Sequence, residues 1–273
     1  MISIITPTLN SIDYLKKCIL SVADQLPAQF EHIIIDGKSN DETIDFLSSV
    51  KYVKFVSRVD KSMYDAINTG LNMVSGDIIG FLNSDEQYLL GTLDFVEKFF
   101  AENENIDLLF GDALLVDPNG LLLAFRKAYR ASRLYIMCSH LYFLTCTMFV
   151  RRKIIDAGFR FNSEMKSIAD RDFVVSILKA SYAAKHVNRY FSTFTITGNN
   201  LSNSIASKVD INNFPKHPIY KFIKYPVNLV RLVEKFFSGA YFQHLPISYE
   251  IYTSNNLERK KFISYNASYR WIK

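Results

Sequence analysis

Two carboxylates, Asp85 and Glu86, stand directly after an apolar run in the stretch GDIIGFLNSDEQY, Gly76 to Tyr88. Acidic groups at the exit of a buried segment suit oxygen ligation of Mg²⁺ or Mn²⁺. Mg²⁺ often takes only one or two protein carboxylates and completes its shell with phosphate oxygens. Three other apolar runs also end in polar residues: Thr6-Pro7-Thr8, Asp36-Gly37-Lys38-Ser39, and Arg58 with Asp60. The ten Gly residues form no GxG and no GxxxxGK[ST]. A diphosphate bound among these residues would therefore be neutralised by a cation held at Asp85 and not by a glycine-rich loop. Taken singly, Asp and Asn at such exits are turn and cap residues; their recurrence on one rim is what suggests chemistry.

The elements that must position them follow from periodicity. Ile2 to Thr6 reads as a first strand ended by Pro7, and Ser11 as the cap of a helix with Ile12, Leu15, Ile19 and Val22 at helical spacing. EHIIID, Glu31 to Asp36, reads as a strand buried on both faces. Ser39-x-x-Glu42 reads as a capping box opening a helix to Ser48. YVKFVS from Tyr52, Asp77 to Leu82, and Asp107 to Phe110 are further strands, with helices at Ser62–Val74 and Thr92–Glu102. This alternation predicts a mostly parallel, doubly wound α/β sheet with ligands at the carboxyl ends of its strands. After Gly111 a hairpin is expected around Asp117-Pro118-Asn119-Gly120, then helices at Ile154–Ala157, Arg171–Ala180 and Pro226–Phe237.

The chain has 273 residues, 49% hydrophobic and 22% charged, as in globular proteins. Its formal charge of +5 is uneven. From Pro215 onward ten Lys and Arg face three Glu, a net +7, so the rest sums to −2. A basic, aromatic tail suits an anionic surface, and peripheral docking on an anionic cytoplasmic leaflet is expected. No nucleic acid partner is expected, since the basic residues lie away from the sheet rim. Cys18, Cys138 and Cys146 are an odd set without metal spacing, which predicts free thiols in a reducing cytoplasm. Met1 leads straight into a strand, so no signal peptide is expected. The uncharged run Leu134 to Val150 contains Ser139, His140, Thr145 and Thr147 and is read as buried or interfacial protein, not a membrane span. His140 is read as a satisfied core or rim histidine, with an acceptor or phosphate contact as the alternative, and Arg151-Arg152-Lys153 as a phosphate or lipid-headgroup contact or a solvated helix start.

Four blocks together resemble the GT-A glycosyltransferases of the family-2 type found in bacterial surface-polysaccharide assembly. They are SIITPTLN (Ser3 to Asn10), IIIDGKSNDET (Ile33 to Thr43), DKSMYDAINTGLNMVSGDIIGFLNSDE (Asp60 to Glu86) and SIADRDFVVSILK (Ser167 to Lys179). The resemblance covers roughly residues 1–200 and implies a catalytic domain there, while composition reads 201–273 as a basic, aromatic, helical extension. It implies that Thr6 and Pro7 line the nucleotide pocket. Asp36 would bind the base, uracil by preference, with Ser39 nearby. Asp60, Asp65 and Asn68 would border the ribose and sugar phosphate, and Asn83 and Ser84 would lie beside Asp85 on the donor. Asp85 would be the ligand of Mn²⁺ or Mg²⁺, and Asp170 the general base, with Asp172 as its rival.

Two positions depart from the family pattern. Asn83 stands at the first position of its DxD motif, and Ala169 replaces a frequent Glu. The resemblance implies inverting transfer of a sugar from a nucleoside-diphosphate donor to a glycan or lipid-linked acceptor. A sugar-nucleotidyltransferase and a non-catalytic sugar-nucleotide binding protein are the rival readings.

Overall fold

The computed structural model describes residues 1–198, 200, 205–214, 218–253 and 258–269. Its first half alternates strand and helix: β1 (Ile2–Thr8), α1 (Ile12–Ala23), β2 (Phe30–Asp36), α2 (Thr43–Ser49), β3 (Val53–Ser57), α3 (Met63–Leu71) and β4 (Ile78–Phe81). These strands pair in parallel in the order β3-β2-β1-β4. The three isoleucines of β2 are fully buried because successive side chains enter opposite layers. Ile33 and Ile35 join Tyr64, Ile67 and Leu71 of α3, while Ile34 meets Leu15 and Ile19 of α1. Gly80 in β4 is required by close packing. A Cβ there would lie 2.7 Å from a ring carbon of Phe149 and 2.8 Å from Ile4 and the Tyr88 hydroxyl.

The second half makes the sheet mixed. It contains β5 (Glu86–Tyr88), α4 (Thr92–Glu102), β6 (Leu108–Val116), β7 (Leu122–Arg126), α5 (Arg133–Cys138), a 3₁₀ turn at Thr145–Thr147, β8 (Met148–Arg151), α6 (Arg152–Asp156), α7 (Ala169–Lys179) and β9 (Ala184–Thr195). The 9-stranded order is β3-β2-β1-β4-β8-β6-β9-β5, with β7 on β6. β8 runs antiparallel between β4 and β6, while β9 runs parallel to β6. The hairpin expected after Gly111 is present, Ala113 pairing with Arg126, but its first strand is continuous with Leu108.

Several local expectations give way to tertiary bonds. Ser39 does not cap α2, whose N-cap is Glu42; its hydroxyl is bound to Asp36 instead. Ser11 is the N-cap residue of α1 as expected, but its hydroxyl bonds Thr8 and Ser84 instead of the helix amides. β1 continues through Pro7 to Thr8, paired with Ile35 and Asp36. The uncharged run divides into α5, the 3₁₀ turn and β8. Among the described residues no helix is long and apolar enough to cross a membrane. Arg151 donates to the carbonyls of Phe100, Asn103 and Ile106, and Lys153 pairs with Asp107, so these two cations serve the fold.

The region 201–273 carries α8 (Ile205–Asn213), α9 (Ile219–Phe237) and also an antiparallel pair, β10 (Ile247–Ile251) and β11 (Lys260–Ser264). Lys216, Arg270 and Lys273 of the basic tail lie outside the described residues. The β10–β11 pair packs Ile247, Tyr249 and Ile251 on Leu114, Val116 and Phe125. Arg259 fastens it to α1. Its guanidinium forks onto Asp24 at 2.6 and 2.8 Å and donates to the carbonyls of Tyr88 and Glu250. With the Arg259 side chain 5% exposed and Asp24 27% exposed, Arg259→Met should cost about 1–3 kcal/mol by removing its hydrogen bonds to Asp24 and to the buried carbonyls. Urea unfolding followed by circular dichroism measures this as a lower midpoint with an unchanged slope.

Candidate active site

The carboxyl ends of β1, β2, β3 and β4 meet on one rim, and hydrogen bonds tie them together. Asp36, fully buried, accepts from the Lys38 and Ser39 amides at 3.1 Å, the Ser39 hydroxyl at 2.5 Å and the Ser57 hydroxyl at 2.6 Å. Those bonds fill a carboxylate's capacity of about four lone-pair sites. Asp36 thus sets the turn after β2, and Ser39 is the group it presents. Asn10, at φ 48°, accepts from the Asn40 amide, while its own amide donates to Ser39. A run of hydroxyls, Thr8–Ser11 at 2.8 Å and Ser11–Ser84 at 2.9 Å, joins the exits of β1 and β4.

Thr6 and Asn68 are turned elsewhere. The Thr6 hydroxyl lies 2.9 Å from His32 Nε2 and 3.8 Å from Cys18 Sγ inside the core. Burial holds His32 far down, at about 3, so it is neutral. Asn68 exchanges two bonds with the backbone of Phe161, at 2.7 and 3.0 Å. Pro7 is buried in β1.

Asp60 and Asp65 flank Arg58. Its Nε lies 3.1 Å from Asp60 Oδ1 and its Nη2 3.4 Å from Asp65 Oδ2. Asp60 is 6% exposed, yet neither of its oxygens has a hydrogen-bond partner. Burial, opposed by Arg58 and reinforced by Asp65 and Asp36, raises its pKa. A buried carboxylate held by one ion pair and no hydrogen bond keeps acceptor capacity for a further donor.

Asp85 and Glu86 divide their tasks. Glu86 is 2% exposed and accepts from the Asn83 amide at 2.6 Å, which makes it the anchor of the loop. Burial, then the charge of Asp85, raises its pKa. Asp85 is half-buried, and burial raises its pKa as well. Its carboxylate receives one long bond, 3.3 Å, from Asn200 Nδ2, which also donates to the Thr195 carbonyl. Two adjacent carboxylates, both destabilised as anions, fit a divalent cation bound through one protein ligand. Among the described residues there is no cluster of three His, Cys, Asp or Glu, so phosphate oxygens or water would complete such a shell.

Asp170 lies in the first turn of α7. Thr145 donates to its Oδ2 at 3.2 Å and the Arg171 amide to its Oδ1 at 2.8 Å, and the Tyr64 hydroxyl is bonded to the same carboxyl. Burial raises its pKa, and these three donors oppose the rise. Asp172 is half-buried and raised by burial, without that set of donors. Asn200, Thr145 and Tyr64 escape sequence reasoning, since each reaches the site from a distant segment. In the sequence Tyr64 shows only helical spacing.

The comparisons with known proteins bear on this geometry. The family model described as glycosyl transferase family 2 matches residues 3–159. A PGL/p-HBAD biosynthesis glycosyltransferase of Mycobacterium bovis (strain BCG / Pasteur 1173P2) is 30% identical over 225 residues, 79% of this chain and 84% of that protein. TarS 1–349 of S. aureus in complex with UDP-GlcNAc superposes with a TM-score of 0.59 at 19% identity, covering 86% of this chain and 72% of that one. The longer TarS chain is covered over 43% of its length. The mannosyltransferase PcManGT from Pyrobaculum calidifontis, solved with GDP-Man and Mn²⁺, gives 0.58 at 13% identity over 89% and 76% of the two chains. At such identities the structural likeness speaks for the fold, which is that of GT-A enzymes. The family match over more than half the chain, with the relative of 30% identity, shows that this protein belongs to glycosyl transferase family 2, a family of sugar-transferring enzymes.

Proposed function

We propose that the rim binds a nucleoside-diphosphate sugar, a UDP-sugar by preference, and that the enzyme transfers the sugar with inversion to a hydroxyl of a glycan or lipid-linked acceptor in surface-polysaccharide assembly. The observation that carries this reading is the pairing of two differently dressed carboxylates, Asp85 with one weak amide contact and Asp170 with three donors. Asp85 would hold Mn²⁺ or Mg²⁺, which when bound neutralises charge on the leaving diphosphate. Ser39 and Ser84 present hydroxyls to the donor, and Asp60 Oδ2, the oxygen not paired with Arg58, accepts from its ribose, beside Asp65. The Asp36 turn shapes the base pocket together with the backbone of Thr6 and Pro7; Asn68 and Asn83 contribute by holding their loops. Asp170 takes the acceptor hydroxyl's proton as that oxygen bonds the anomeric carbon and the bond to the diphosphate oxygen breaks. A base whose pKa is raised by burial accepts that proton more readily than an ordinary aspartate does.

The C-terminal region supports peripheral docking on an anionic membrane. Along α9 the side chains of Phe222, Tyr225 and Phe237 are 82%, 80% and 81% exposed, with Lys221 and Lys224 exposed beside them. Such a face suits insertion into a headgroup layer.

Asp170→Asn should lower kcat by about 10²–10⁴ while a UDP-sugar still binds; turnover near that of the wild type would refute the base assignment. Asp85→Ala should abolish the Mn²⁺ dependence of nucleotide release, scored with UDP-, GDP- and dTDP-sugars. The pH profile is a third check. Activity requires ionised Asp170, so it falls as pH drops through a pKa above the ordinary aspartate value. Tyr64→Phe removes a donor that lowers this pKa, so the acid limb of kcat/KM should move to higher pH. For the membrane, the protein should float with vesicles containing anionic lipid, and Phe222→Ser with Phe237→Ser should leave it at the bottom of the gradient.

A further inference from the structure

Where β10 and β11 meet β6 and β9 they frame a cavity of about 590 Å³, within the roughly 300–1,000 Å³ typical of ligand sites. Asp112 of β6, Tyr190 of β9, Glu250 of β10 and Lys261 of β11 line it, with Lys127 from just beyond β7. Asp112 carries the strongest signal. Its side chain is 0% exposed; Oδ1 accepts from the Ala128 amide at 2.9 Å and lies 2.8 Å from His186 Nε2. Its other oxygen, Oδ2, is buried with no hydrogen-bond partner. A buried carboxylate oxygen left unbonded is costly unless a ligand or water brings it a donor.

The other walls define what that ligand is. Glu250 and Lys261 stand opposite each other in the β10–β11 register, yet no ion pair joins them. Among the described residues Lys127 has no hydrogen bond or ion pair, and its charge favours the ionised form of Asp112. Arg189, also in the lining, is engaged by the Gly91 carbonyl at 3.2 Å and the Phe95 ring at 4.7 Å. Two carboxylates and two ammonium groups thus balance around one space. A bare anion there meets Asp112 and Glu250, and a cation meets Lys127 and Lys261. An apolar guest leaves Asp112 Oδ2 unbonded. A neutral sugar satisfies both signs, because each hydroxyl donates and accepts. The ring of Tyr190, held by its hydroxyl bond to Gln243 Oε1 at 2.7 Å, supplies apolar surface beside these polar groups. The cavity is also remote from the rim. Along β9, Tyr190 lies five residues before Thr195, whose carbonyl accepts from the Asn200 amide that reaches Asp85. At about 3.3 Å per residue that is about 16 Å of strand.

We propose that this cavity is a second carbohydrate site, which holds neutral sugar residues of the acceptor glycan distant from the one that receives the new sugar. Asp112 and Glu250 accept from its hydroxyls, and Lys127 and Lys261 donate to them. The assignment of the glycan as the acceptor rests on the sugar-transfer reading; carbohydrate binding at the cavity stands without it.

Retention on immobilised hexasaccharides tests this in buffer free of nucleotide and metal. The neutral probes are maltohexaose, mannohexaose and chitohexaose, and the acidic one is the hexamer of galacturonic acid. Wild type should be retained by a neutral probe and not by the acidic one. Asp112→Asn and the milder Lys127→Met should weaken that retention about ten- to a hundredfold. Metal-dependent hydrolysis of a UDP-sugar without acceptor should stay at the wild-type rate in both variants. Failure of every neutral probe to retain the wild type would remove the site, as would equal retention of wild type and both variants. Stronger retention on galacturonate would overturn the neutral assignment. Loss of donor hydrolysis in both variants would trace their effect to the fold as a whole and overturn the proposal. The sugar-transfer reading fails on a different result, the absence of nucleotide release from every donor.

Discussion

A stack of aromatic rings beneath the rim ties β4, α3 and α7 together, and with them the segments that carry Asp85 and Asp170. Phe161 lies parallel to Phe173 at 4.3 Å and to Tyr64 at 5.6 Å, and Phe81 meets Phe161 edge-on at 5.2 Å. Each ring comes from a different part of the chain: Phe81 ends β4 ahead of Asp85, Tyr64 begins α3, and Phe173 lies one turn after Asp170. Such contacts are worth about 0.5–1.5 kcal/mol each beyond area burial. Their larger consequence is stiffness, because a close-packed cluster transmits position rather than absorbing it. Asn68 locks the stack by exchanging two bonds with the Phe161 backbone, and Ser62 adds a third stitch to the Ser163 carbonyl at 2.8 Å. The side chain of Asn68 is thus spent on holding this stack.

Above the stack lies a polar belt with a different logic. Asp36 sits at its centre and draws the β2 turn and the end of β3 onto itself. Because its oxygens are consumed by those bonds, the recognition surface at β2 consists of Ser39 and backbone. Thr8, Ser11 and Ser84 continue the belt to the loop that carries Asp85. Hydroxyls suit this position because each both donates and accepts, so a bound ligand can enter the chain of bonds without stranding a member.

The parallel half of the sheet was legible because its strands are buried on both faces and its helices repeat at 3.6 residues. Asp85, Asp36 and Asp60 were legible because they follow those strands. β5 was hidden: three residues, Glu86, Gln87 and Tyr88, two of them polar, form no pattern. β9 mixes Lys185, Asn188 and Arg189 with apolar residues and follows no clean alternation. Ser39 and Glu42 have the spacing of a capping box, yet Asp36 offers the serine a buried charge, and tertiary demand wins over local propensity. Tyr64, Thr145 and Asn200 could not be found locally, since each acquires its meaning from a carboxylate far away in the chain.

Electrostatics connects these layers. At the rim, Asp60, Asp85, Glu86 and Asp170 are all raised by burial, and Arg58 is the cation that lies between Asp60 and Asp65. A rim of this kind repels a bare diphosphate, so a donor gains affinity there only when it arrives with compensating positive charge.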